Sequence, residues 1–277
     1  TLTVTGQGGD VSTANQAITV FDNATAGFSV DSVVGQTATF TDTTTNATGA
    51  TYAWEFGDGN TSPSTTLNQA HTYAAAGIGG QNYTVTLTVT GAGGDVTTAI
   101  QAITVFDDVT AAFSVSAVGQ TATFTNTTTN TTGATYEWDF DNDGIVDSTA
   151  QDPPTHTYAA SGNPAGQPYT VTLTVTGQGG DVSTATHVIT VHDNVTAGFT
   201  VVSVVGQTAT FTDTSINATG ASYAWDFGDG NTSSRSQGLT HTYEASGNPA
   251  GQSYNVTLTV TGQGGDVSTA GPVQILV

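Results

Sequence analysis

One block of residues recurs along this chain almost without change. Thr-Leu-Thr-Val-Thr begins at positions 1, 86, 172 and 257, and the stretch 172–185 is repeated identically at 1–14 and 257–270. At 86–99 it returns with Ala92 in place of Gln and Thr97 in place of Ser. Val-Gly-Gln-Thr-Ala-Thr-Phe-Thr recurs from 34, 118 and 205. A period of about 85 residues, kept at surface and core positions alike, marks tandem copies of one unit. The copies divide the chain into 23–106, 107–191 and 192–277, preceded by a partial copy, 1–22, that matches only the last two strands of a unit. A lone hairpin is marginal in water. Its missing strands are expected upstream, and the rival reading is donation of the hairpin to another chain.

Inside each copy the periodicity is that of strands. Tyr52-Ala53-Trp54-Glu55-Phe56, Tyr136-Glu137-Trp138-Asp139-Phe140 and Tyr223-Ala224-Trp225-Asp226-Phe227 place three aromatic residues on one face and an acid on the other. The three tryptophans of the chain, Trp54, Trp138 and Trp225, thus anchor one core each. Gly-Asp-Gly then ends the strand in the first and third copies, since glycine tolerates positive φ and Asp bonds its own turn. In the third copy Tyr254, Val256, Leu258 and Val260 alternate with Asn255, Thr257, Thr259 and Thr261, a half-buried strand. Further strands are expected over 197–204, 207–214, 239–243 and 267–276. No stretch has helical periodicity. Seven short strands in about 85 residues predict an all-β chain of two-sheet antiparallel sandwiches.

Trp-Asp-Phe-Gly-Asp-Gly, then His-Thr-Tyr at 71–73, 156–158 and 241–243, then Tyr-x-Val-x-Leu-x-Val resembles the PKD (polycystic kidney disease) domain. The resemblance covers essentially the whole chain and departs at Glu55, where that family usually has Asp. It implies tandem immunoglobulin-like β-sandwiches. The linkers Phe21-Asp22-Asn23, Phe106-Asp107-Asp108 and His192-Asp193-Asn194 are short and neither Gly/Ser-rich nor Pro-rich, so an elongated array with little free tumbling is expected. That topology also implies that the Asp58 or Asp143 loop of one unit lies near the Asp95-type or Asp181-type loop of the next and the linker acids.

Lys plus Arg number 1 against 22 Asp plus Glu, a formal net charge of -21, yet charged residues make up only 8% of the chain. Such a surface repels nucleic acid and anionic membranes and attracts divalent cations. A single base, Arg235, does not support phosphate chemistry. With no cysteine there is no disulfide framework.

Asp139, Asp141, Asp143 and Asp147, with Gly144 at the bend, resemble a calcium loop, although Ala150 stands where an EF-hand carries its bidentate Glu. The alternative is an acidic turn capped by its own carboxylates. The family resemblance implies a second calcium site built from acids at the start of the domain and in the loop before the last strand. Those positions are Asp22, Asp107, Asp108 and Asp193 with Asp95, Asp181 and Asp266. The family's third acidic position, before the Trp strand, is lost. Calcium at the unit junctions is therefore expected, against the alternative of exposed turn acids.

Sequons for N-glycosylation occur at Asn23, Asn46, Asn60, Asn82, Asn126, Asn130, Asn194, Asn217, Asn231 and Asn255. An extensively glycosylated surface is expected, the alternative being unmodified sequons. His71, His156 and His241 lie one per unit and read as structural; His187 and His192 have no counterparts. Glu137 and Asp139 form no cleft signal as a carboxylate pair, and no serine sits in a nucleophile elbow. The expectation is no enzyme. The chain reads as a structural and interaction protein, a rod in a cell-surface layer, stalk or extracellular filament. A microbial, plausibly archaeal, surface is expected, with glycans, copies of itself or other surface proteins as partners and no membrane contact by this segment. The alternative function, implied by the family, is an accessory or binding module of a secreted protease or polysaccharide-degrading enzyme. Exposed aromatic rows would favour it, and here the aromatics alternate inward.

Overall fold

The computed structural model describes every residue of the chain except 65–67, 76 and 78. The described residues are all-β, and none forms a helix long and apolar enough to cross a membrane. Residues 1–22 contribute the hairpin β1 (Leu2–Thr5) and β2 (Val11–Ala14).

The first module consists of β3 (Phe28–Val34), β4 (Thr37–Asp42), β5 (Thr51–Glu55), β6 (Thr61–Ser64), β7 (Asn68–Thr72), β8 (Gln81–Thr90) and β9 (Val96–Val105). Its sheets run β3-β4-β7 and β6-β5-β8-β9. The second module has β10 (Phe113–Val118), β11 (Thr121–Asn126), β12 (Thr135–Asp139), β13 (His156–Thr157), β14 (Gln167–Thr176) and β15 (Val182–Val191), in sheets β10-β11-β13 and β12-β14-β15. The third comprises β16 (Phe199–Val205), β17 (Thr208–Asp213), β18 (Ser222–Asp226), β19 (Thr232–Ser233), β20 (Leu239–Thr242), β21 (Ser253–Thr261) and β22 (Val267–Leu276), again as a three- and a four-stranded sheet.

The seven expected strands are present in the first and third modules. The second has six among its described residues, a correction with a local cause. Its loop after the Trp strand is longer. The backbone N–H groups of Asp147 and Ser148 both reach the Trp138 carbonyl, so pairing there shrinks to the single bridge Trp138↔Ser148.

Each module closes on its own tryptophan. Trp54, Trp138 and Trp225 are buried, each met edge-on by a phenylalanine 5.0 Å away: Phe28, Phe113 and Phe199. Truncating such a residue to Ala costs about 3–5 kcal/mol. The alternating Val-x-Leu-x-Val strand supplies the facing layer, with Leu87, Leu173 and Leu258 fully buried. In the partial copy the same side chains lie open. Leu2 is 65% and Val4 56% exposed, because no Trp strand or second sheet covers them.

By compactness the chain divides into two units, Thr1–Asp108 with Gly177–Asp181, and Val109–Thr176 with Val182–Val277. Within the second unit the second and third modules are joined by a tight contact. The Gly119 N–H donates to the Gly264 carbonyl at 3.1 Å, and the Gly119 carbonyl accepts from the His192 N–H at 3.3 Å. Gln120 and Asn194 exchange a reciprocal pair: the Gln120 N–H donates to Asn194 Oδ1 at 2.9 Å, and the Asn194 N–H to Gln120 Oε1 at 3.3 Å. This corrects the expectation for that joint. The turn between the first two strands of a module, rather than the Asp143 loop, meets the glycine-rich loop of the next. The approach is close: a Cβ on Gly264 would stand 3.0 Å from both the Gly119 nitrogen and His192 Cβ, tighter than ordinary contact, so glycine lets the two backbones meet without a shift.

Candidate functional site

Strand β12 aims Trp138 into the core and turns Asp139 outward, where it governs the loop that follows. One Asp139 oxygen accepts from the N–H groups of Asn142 (2.6 Å) and Asp143 (3.2 Å); the other accepts from Gly144 (2.9 Å). Asn142 takes a left-handed φ of 60°, which Asn tolerates better than other side chains. At the far end of the loop, Asp147 accepts from the Phe140 N–H at 2.6 Å. These bonds fold the loop back so that Asp139, Asp141 and Asp147 each present an oxygen within 4.8 Å of the others. Asp143 is not in that group. Its Oδ1 accepts from the Ile145 N–H at 2.8 Å. Three carboxylates with no nitrogen or sulfur donor suit a hard, oxygen-preferring cation such as calcium.

In the other modules the short loop does something different. His71 Nε2 lies 2.7 Å from Asp58 Oδ2, and His241 Nε2 2.7 Å from Asp229 Oδ2. The imidazoles stack on Phe56 and Phe227 at 4.1 and 4.0 Å. Burial pushes the Asp58 carboxyl up, but hydrogen bonds from His71 and Asn60 outweigh it and hold the group below the usual carboxylate range. Asp229 is lowered in the same way by His241 and Asn231 against burial. The following tyrosines lock the loop base: Tyr73, Tyr158 and Tyr243 donate to the carbonyls of Phe56, Phe140 and Phe227. Burial, with Asp229 and Tyr254 nearby, pushes the Tyr243 phenol up to about 12. The structural role read for these three histidines fits this packing. The Asp58 and Asp229 partners were missed, although one Asp-Gly-Asn per histidine in the first and third copies, altered in the second, is the signal that marks them.

The remaining acids do not gather. Among the described residues, no group of three that could hold a metal forms at the junctions. Asp95 Oδ2 accepts from the Ala24 N–H and Asp266 Oδ2 from Val195, each tying the start of a module to its own glycine-rich loop. Asp193 accepts from Ser161 and Gly162, with Asp107 and Asp108 bonded to the N–H groups of Gly77 and Gln36. Asp181 bonds through its carbonyl to the Gly177 N–H, and Asp22 lines a shallow cleft with Phe21 and Asn46. The carboxylates of Asp95, Asp107, Asp108, Asp193 and Asp266 thus cap backbone N–H groups.

The sequon asparagines Asn23, Asn46, Asn60, Asn82, Asn130, Asn194, Asn217, Asn231 and Asn255 are exposed. Asn126 is half-buried, and both ends of its amide are engaged, with the Thr128 N–H and the Gln151 carbonyl. Asn217 opens onto a cleft of about 260 Å³ shared with Asn163, His192, Asp193, Thr219 and Gln263. His187 packs edge-on against Phe113 at 4.6 Å.

Sequence models of the PKD domain match residues 22–105, 108–190 and 194–277. Among solved structures, the PKD1 domain from the Vibrio cholerae metalloprotease PrtV is 30% identical, with a TM-score of 0.26, covering 31% of this chain and 99% of that one. The PKD1 domain of Vibrio anguillarum Epp is 24% identical, TM-score 0.27, covering 32% and 99%. The three N-terminal domains of the bacteriophage RB49 outer capsid protein Hoc are 13% identical, TM-score 0.38, covering 92% and 96%. A comparison with curated proteins gives no match.

Proposed function

The chain belongs to the PKD domain family, as three modules in tandem, and from that premise we propose that it is a structural and interaction protein of a cell-surface layer, stalk or extracellular filament. PKD domains are typically non-catalytic and generally extracellular modules. The observation that carries the reading is the joint inside the second unit, where four hydrogen bonds hold the Gly119-Gln120 turn against His192, Asn194 and Gly264. A contact made by backbone groups and short amides at a three-residue linker resists bending, because any swing breaks several bonds at once. The modules then act as stiff spacers.

Two features are added to this reading. Calcium is held by Asp139, Asp141 and Asp147, whose grouped carboxylates lie in a chain almost without bases. Glycans sit on the exposed sequons, and the engaged amide of Asn126 predicts that this one stays bare. Small-angle scattering of the dilute chain tests the spacer. A pair-distance distribution of an extended, rigid particle is expected; the curve of modules tumbling independently, or capture of the chain on chitin, cellulose or collagen, refutes it.

A further inference from the structure

We propose that Asn217 carries a glycan whose first sugar lies in the cleft between the second and third modules and braces their joint. The proposal rests on the reading of a glycosylated surface and gives one sequon a mechanical task. The cleft measures about 260 Å³. That is room for about nine waters, the bulk of one sugar ring rather than of a chain. Its walls come from both modules: Pro164 from the second, and Asn217, Thr219 and Gln263 from the third, with Asp193 of the linker between them. The asparagine and the threonine of the Asn217-Ala218-Thr219 sequon thus both border the cleft.

The acceptor is held in place. Asn217 is exposed, takes a left-handed φ of 57°, and donates from Nδ2 to the Asn194 carbonyl at 3.0 Å. A side-chain amide has two donor hydrogens. The bond to Asn194 uses one and orients the group; the sugar replaces the other. In the transfer the bond from Nδ2 to the sugar C1 forms as the C1–O bond of an activated sugar phosphate breaks. One Nδ2 proton is released, and the phosphate leaves with the bonding pair. A separate glycosyltransferase supplies the donor and the base.

The same seat is built in the first module. Asp22, Asn46 and Thr48 there hold the positions of Asp193, Asn217 and Thr219, around a cleft of about 280 Å³. Asn46 has a φ of 56°, and its Nδ2 donates to the Asn23 carbonyl at 3.3 Å. A cleft that recurs around a sequon asparagine bonded to the linker backbone belongs to the repeat, not to one loop.

Once attached at Asn217, the sugar has partners on both walls. The Asp193 carboxylate accepts from Ser161 and Gly162 and, with about four lone-pair sites, has capacity for a sugar hydroxyl as well. The Gln263 amide both donates and accepts, and the Pro164 ring offers an apolar surface to the C–H face of the sugar. Gln263 adjoins Gly264, whose carbonyl accepts from the Gly119 N–H across the joint. A ring bonded to the third module and packed against the second resists the swing that opens this contact.

Glycopeptide mass spectrometry and hydrogen exchange on the chain and its variants, produced with the glycans of the native source, test this. A sugar on Asn217 is expected. Thr219→Ala removes the sequon while keeping Asn217 and its bond to Asn194. It is expected to speed exchange of the Gly119 and His192 amides about fivefold, the factor for one net hydrogen bond across the cleft. Thr219→Ser keeps both the sugar and the slow exchange. Asn255→Gln, which removes a sequon towards the other end of β21 from the loop at Gly264, leaves both unchanged. In chain made without glycans, Thr219→Ala has no effect on exchange; an equal effect there would assign the change to the hydroxyl and overturn the proposal. A bare Asn217 beside other occupied sequons overturns it and leaves the glycosylated surface standing, whereas bare sequons throughout overturn both. A sugar on Asn217 whose loss leaves the Gly119 and His192 amides unchanged overturns the brace. Scattering by the unglycosylated chain reports stiffness independently, so the spacer reading stands or falls apart from this one.

Discussion

The loop after the tryptophan strand takes two forms in one chain. In the first and third modules a single carboxylate, Asp58 or Asp229, is held against an imidazole that stacks flat on the phenylalanine below it, at interplanar angles of 6° and 3°. In the second module the loop is longer, and His156 tilts to 36° over Phe140 at 4.7 Å. The acids there, Asp139, Asp141 and Asp147, converge on one another instead. The same seat on the sandwich therefore either pairs one carboxylate with a histidine or concentrates several where a cation can lie. A few added residues make the difference, because they lift the acids off the histidine while leaving the Tyr158 lock on the Phe140 carbonyl in place, at 2.9 Å.

The largest expected effect concerns the residue that begins each loop. Asp139→Ala removes the acceptor of three backbone N–H groups and costs the second module about 2 kcal/mol. Glu55→Ala, at the exposed counterpart in the first module, stays within about 0.5 kcal/mol. Hydrogen exchange of amides in β14 and β8 reads the two modules separately, and equal losses would erase the distinction. Next comes the histidine. His241→Ala takes away both the stack on Phe227 and the bond to Asp229, about 1.5 kcal/mol together. His156→Ala removes a tilted ring contact and costs about half as much. Exchange of amides in β21 and β14 compares them.

Much of this was legible in the sequence and some was not, for physical reasons. The sandwich followed from period-two alternation at Trp138 and Leu173 and from the exact recurrence of the units, because burial on one face of a strand is a local pattern. The grouping of Asp139, Asp141 and Asp147 was legible because a short loop brings its own acids together. The Asp58–His71 pair joins the loop after β5 to β7 in the opposite sheet, so only the recurrence of Asp-Gly-Asn with one histidine per copy, and no local spacing, hints at it. The bonds of the junction acids were not legible for a related reason. Asp266 and Asp193 recur beside short linkers, but a carboxylate near backbone N–H groups is captured by them, as Val195 and Gly162 capture these two. Nor did the sequence say that the Gly119 turn would meet Gly264, since both stretches recur in every unit whether docked or free.

Calcium sharpens the comparison further. At a concentration about ten times its dissociation constant, an ion bound only by the folded loop stabilises its module by about 1.4 kcal/mol. Protection is expected to rise in β14 on adding calcium, to stay constant in β8 and β21, and to vanish with a chelator. Asp141→Asn abolishes the response without affecting the bonds that Asp139 makes to the backbone. A uniform rise in all three modules would point to general screening of the negative surface rather than to the grouped carboxylates.

The smallest effect is the pH dependence of the paired acids. Asp58 and Asp229 are held below the ordinary carboxylate value in the fold, against a value of about 3.9 when unfolded. A group lowered by folding binds more protons in the unfolded chain, so its contribution is complete above the unfolded value and disappears as pH falls through the folded one. At pH 7 the Asp58→Asn and Asp229→Asn variants are therefore less stable than the parent in their own modules, and acidification from about pH 5 to about pH 2 closes the gap. Denaturant midpoints of parent and variants across that range measure the closure. A gap that persists at the acid end would mean that the pair stabilises through the stack of His71 on Phe56 and the shape of the turn, with the charge on Asp58 contributing nothing.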